Sequence, residues 1–109
     1  MIRIAYSPAA FSLSIRGHAG AAPAGEDLVC SAVSALAVTA AANANALKAR
    51  GLTRQTLTRL EPGLAQVICI PTVQGRGQVR QVMDAVCLGF AMLAAAFPEY
   101  VRYVNQAEG

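Results

Sequence analysis

One histidine and three cysteines hold most of the reactive chemistry in this sequence. His18 precedes Cys30 by twelve positions, and the segment between them is rich in glycine and alanine. Cysteine catalysis requires a thiolate, a base to take its proton and a donor for the developing oxyanion. A helix start offers partial positive charge that favours a thiolate, and free N–H groups that can act as donors. The pattern puts Cys30 on the first turn of a helix capped by Asp27, with Ser34 at i+4 on the same face. Glu26 and Asp27 oppose a thiolate unless they cap the helix or orient His18. These spacings leave two readings open. Cys30 and His18 are a catalytic pair, or they are a small buried hydrophobe and a solvated turn residue. Three Cys and one His could also fill a zinc site, but no CxxC or HxxxH spacing is present. No metal or cofactor is expected, and Cys69 and Cys87 fall in apolar patterns typical of packing residues.

The elements that must position this pair follow from periodicity. Residues 1–6 alternate, with Ile2 and Ile4 on one face and Arg3 on the other. Residues 11–16 alternate again, so a hairpin is expected around Ser7-Pro8-Ala9-Ala10. Residues 17–25 (GHAGAAPAG) contain no large side chain and read as a mobile loop. From Asp27, the residues Val29, Val33, Leu36, Ala40 and Leu47 recur at helical spacing until Gly51 ends the run. Residues 55–60 and 64–70 form a second hairpin about Glu61-Pro62-Gly63, with AQVICI apolar enough for a central strand. Residues 74–77 read as a loop. Val79, Val82, Met83, Val86, Phe90 and Leu93 then mark an amphipathic helix ending near Phe97-Pro98. Residues 100–104 suggest a short edge strand. The order β-β-α-β-β-α predicts a two-layer α+β sandwich with a mostly antiparallel sheet, in one domain spanning 1–109.

Composition narrows the function classes. The 109 residues include 23 alanines, and charged residues are 14%, well under the roughly 25% usual for soluble domains. That combination excludes a disordered chain. The net charge is +3, but the nine basic residues are scattered and not interleaved with aromatics. Direct nucleic-acid binding is therefore not expected. Residues 28–47 and 85–98 carry no charge, yet the first holds Ser, Thr and Asn and the second is core-helix length. No signal-peptide pattern is visible, so a soluble cytoplasmic protein is expected, with no membrane partner. An odd cysteine count leaves at least one thiol free. With so little charge, Phe90, Met92, Leu93, Phe97 and two Ala-rich helices need covering, which predicts a homodimer.

Taken together, Gly17-His18-Ala19-Gly20 followed by Gly25-Glu26-Asp27-Leu28-Val29-Cys30-Ser31-Ala32-Val33-Ser34 resembles the signature of the ribosomal-processing cysteine protease family (Prp). The resemblance runs along the whole chain. It implies a small cytoplasmic homodimeric cysteine protease that removes a short N-terminal extension from large-subunit ribosomal protein twenty-seven. It further implies His18 as general base, Cys30 as nucleophile, and Asp27 and Ser34 as supporting residues. A loop containing Gly17, Gly20 and Gly25 would order over substrate. Family members usually carry an aromatic after GHAG, where this chain has Ala21-Ala22-Pro23. The alternative is a non-catalytic ribosome- or RNA-associated binding module of the same fold.

Overall fold

Alternating apolar residues in the first strands and two Ala-rich helices give a sheet with one covered face. The structure, a computed structural model, describes residues 1–17 and 24–107, except for the side chains of residues 24–27. The elements run β1 (Ile2–Ser7), β2 (Ser12–Arg16), α1 (Ala24–Ala49), β3 (Thr53–Glu61), β4 (Leu64–Pro71), α2 (Arg76–Ala96) and β5 (Val101–Asn105). The five strands form one sheet in the order β3-β4-β2-β1-β5. All pairs are antiparallel except β1 with β5, which is parallel. The expected α+β two-layer sandwich is therefore present, and 100–104 does supply the start of an edge strand.

The pleat sorts the strand residues. Ile2, Ile4, Tyr6, Leu13, Ile15, Ala65, Val67 and Cys69 are buried under the helices. Their neighbours along the strands point to the opposite, uncovered face. Both helices are long and apolar enough to cross a membrane, but each turns an apolar stripe to the core. From α1 these are Val29, Val33, Ala37, Ala40, Ala41, Ala44 and Leu47; from α2, Val79, Met83, Cys87 and Phe90. The alanines let α1 lie close on the sheet. Gly89 of α2 does the same between the helices, where an added Cβ would lie 3.1 Å from Leu36.

Several element boundaries differ from the sequence reading. Helix α1 begins at Ala24, so Asp27 lies inside the first turn instead of capping it. Alanine needs no cap to be helical, and Pro23 immediately before it is compatible with a helix start. Gly25 consequently belongs to the helix and not to a loop. Helix α2 begins at Arg76, inside the segment read as a loop. There Thr72 Oγ1 accepts the Gly75 N–H at 2.9 Å and closes the turn. An added Cβ on Gly75 would come 2.3 Å from the Leu52 carbonyl. Strand β2 starts at Ser12 because Phe11 has φ +53° and serves as a turn residue. Finally, Phe90 is fully buried within its own chain. It needs no second copy to cover it.

Candidate active site

Strand β2 ends where the sheet meets the first half of α1, and that junction is held by backbone. Gly17 has φ +100°, and an added Cβ would lie 2.4 Å from the Met1 carbonyl oxygen. Its N–H donates to the Gly63 carbonyl at 3.0 Å. The chain therefore leaves β2 from a point fixed between the first residue and the β3–β4 turn. His18 is the next residue in sequence. His18, Gly20 and most of the proposed loop lie outside the described residues, as does the side chain of Asp27.

Beside Gly17 lies an open cavity of about 290 Å³. Helix α1 contributes Cys30, Val33, Ser34 and Ala37 to its wall; the β3–β4 turn contributes Glu61, Pro62, Gly63 and Leu64. Ile2, Ile15 and Ala65 form the apolar floor. Cys30 and Ser34 are thus brought to one cavity by their i, i+4 spacing. Cys30 is half-buried and Ser34 exposed. The other two thiols differ sharply: Cys69 and Cys87 are 0% and 1% exposed, and burial pushes both up from the ordinary thiol value. As expected, they are packing residues.

The longer helix changes the chemistry open to Cys30. It sits in the second turn of α1, past the N–H groups that lack intrahelical partners. The helix field also falls off within the first turn. The Cys30 N–H therefore already serves the helix and is not free to act as an oxyanion donor. The N–H groups without intrahelical partners are those that open α1.

Glu61, Pro62, Gly63 and Leu64 were not foreseen as site residues. Their place depends on the β2–β4 pairing, in which Arg16 lies opposite Leu64, and no local pattern announces that partner. Glu61 is the one carboxylate on the wall among the described residues. Its ion pair with Arg59 Nε at 2.8 Å is about half exposed on both sides and contributes little to stability.

The fold occurs in solved structures. The SMU.848 protein of Streptococcus mutans is 26% identical, with a TM-score of 0.65 over 95% of this chain and 90% of that one. The essential ribosomal processing protease Prp from S. aureus, in complex with a substrate peptide, is 16% identical. Its TM-score is 0.71 over 96% of this chain and 99% of that one. The same S. aureus protease with a covalently linked product peptide gives a TM-score of 0.69 at 17% identity, over 96% and 99% of the two chains. No curated protein matches. The family model described as cysteine protease Prp matches residues 1–102. The chain with the half-buried Cys30 beside its open cavity accordingly belongs to the Prp family and is a cysteine protease.

Proposed function

We propose that Cys30 is the nucleophile and His18 the general base of an endopeptidase that trims a short N-terminal extension from large-subunit ribosomal protein twenty-seven. The observation that carries the reading is the position of Cys30. It alone of the three cysteines opens on a roomy cavity, and that cavity's wall includes Gly17, the residue directly before His18. His18 takes the Cys30 proton, the thiolate attacks the scissile carbonyl, and the protonated imidazole returns the proton to the leaving amine. Water then releases the acyl group. Asp27 and Ser34 act as supporting residues, and the segment through Gly20 closes over substrate.

The walls fit such a peptide. Ile2, Ile15, Val33, Leu64 and Ala65 offer apolar surface to bulky side chains next to the scissile bond. A ribosomal substrate is consistent with the S. aureus neighbour, a ribosomal processing protease bound to a substrate peptide. The test is incubation of the purified chain with the host's own ribosomal protein, read by intact mass. Loss of an N-terminal segment is expected with the wild type and not with Cys30→Ala. Cleavage by Cys30→Ala would overturn the nucleophile, and an uncut ribosomal protein would overturn the substrate.

We propose a homodimer in the cytoplasm. Val38, Leu88 and Met92 are 57%, 63% and 64% exposed on the helices, apolar surface that a second copy would cover. Three free cysteines suit a reducing compartment. Light scattering at micromolar concentration should give twice the chain mass; a monomer would count against the dimer.

A further inference from the structure

The uncovered face of the sheet gathers three arginines that lie far apart in sequence. Arg3 of β1 is opposite Arg16 of β2 and, on its other side, opposite Arg102 of β5. All three are exposed. They form one row across three adjacent strands, with neighbours at the strand spacing of about 4.8 Å. Like charges directly opposite one another destabilise a sheet. Among the described residues, the ion pairs are Arg59 with Glu61 and Arg80 with Asp84, so none of the three arginines forms one. An open groove of about 280 Å³ runs beside it, floored by the small residues Ala5 and Ser14.

We infer that this arginine row binds the phosphate backbone of RNA. The occupant must be an anion, because it has to relieve three mutually repelling cations. It should also be linear, because the strands set the charges in a line. Guanidinium groups engage phosphate oxygens bidentately. A protein partner would want a buried aromatic or large apolar anchor; the groove beside the row is walled by Ala5, Ser14, Val104 and Gln106. The larger apolar residues of this face, Leu57, Leu64, Ile68 and Ile70, lie on β3 and β4 to one side of it. The face carries no aromatic on which a base could stack, so contact is limited to the backbone and indifferent to sequence. The inference is independent of the proteolytic assignment and lies on the other face of the sheet from the helices.

The experiment is fluorescence anisotropy with a labelled single-stranded oligouridylate. Three neutralised phosphates give a log–log salt slope of about −2. Raising salt from about 50 to 200 mM should then weaken binding roughly 20-fold. The triple variant Arg3→Ser/Arg16→Ser/Arg102→Ser should lose at least about tenfold in affinity at low salt and most of the salt slope. The triple variant Lys48→Ser/Arg50→Ser/Arg54→Ser has the same net charge and should bind as the wild type does. Thermal stability should hold or rise without the row, since a purely structural role would make it fall. Single Arg3→Ser, at the centre of the row, repeats the test with the least disturbance. Three results would overturn the inference: no saturable binding at low salt, equal losses in the two triple variants, or capture of polyglutamate or anionic vesicles in preference to the RNA.

Discussion

The Tyr6 hydroxyl donates a 2.6 Å hydrogen bond to Asp84 Oδ1, tying the centre of β1 to α2. The same carboxylate accepts from Arg80 Nε at 3.0 and 3.1 Å. These two partners have unequal weight. Tyr6 is 1% exposed, so its bond to a charged acceptor is worth about 1.5–3 kcal/mol. The Arg80–Asp84 pair is about half exposed and is worth about 0.3–0.5 kcal/mol. Urea titration should therefore rank the variants with Tyr6→Phe clearly below wild type and Arg80→Ala close to it. Asp84→Ala should be at least as damaging as Tyr6→Phe, because it leaves the buried hydroxyl unpaired. Equal effects of Arg80→Ala and Tyr6→Phe would refute this division.

At the site, Cys30→Ala should abolish peptide hydrolysis and leave the thermal midpoint within a few degrees, because alanine suits a half-buried helical position. His18→Ala should cost roughly 10²–10⁴-fold in kcat. Ser34→Ala and Asp27→Asn should be milder than either. A kcat in Ser34→Ala as low as that of His18→Ala would give the hydroxyl a direct part in the reaction.

Gly17→Ala should unfold the protein or lower its midpoint by roughly 10 °C or more. A left-handed backbone costs a non-glycine residue about 1–2 kcal/mol, and each kcal/mol moves the midpoint by about 4–8 °C in a domain near this size. The contact with Met1 adds to that, because a backbone carbonyl cannot swing aside. Wild-type stability in Gly17→Ala, read by calorimetry, would show that the β2 exit is not fixed in this way.

Alkali should destabilise the fold before it reaches the arginines. Burial pushes the Cys87 thiol up to about 12 from an ordinary 9.0, with the Asp84 charge adding to the effect. Burial raises Tyr103 to about 12 as well, helped by Cys87. It also raises Tyr6, where the bond to Asp84 reinforces it. Each group holds its proton more tightly folded than unfolded. The stability this provides is complete below about pH 9 and is lost as pH rises toward 12. Urea midpoints should hold to about pH 9 and fall from there to about pH 11, less steeply in Cys87→Ala; a flat profile would contradict the burial of these groups.

The sequence displayed local order well and long-range order poorly. Alternation in Ile2, Ile4, Leu13 and Ile15 marked strands and their buried face, and the spacing of Val79, Met83 and Phe90 marked α2. The i, i+4 relation of Cys30 and Ser34 survived intact, since it depends on helix geometry alone. The start of α1 was misplaced because Ala24 and Gly25 give no capping signal, and alanine is helical without one. The turn residues of the cavity were invisible because Gly17 meets Gly63 only through the β2–β4 register. The arginine row was hidden for the same reason: Arg3, Arg16 and Arg102 become neighbours only after three strands pair.

The parallel pairing of β5 with β1 has a consequence for timing. Ile2 lies opposite Val101, and its N–H donates to the Tyr100 carbonyl at 2.8 Å, so the first strand is completed by residues made long after it. Until they emerge, β1 is a bare sheet edge, and the floor of the Cys30 cavity at Ile2 has no support on that side. Contacts this far apart in sequence also slow folding. A protease assembled in this way lacks that support until α2 and β5 have been made and β5 has paired, so the onset of its hydrolytic power waits on a strand about a hundred residues from the one it completes.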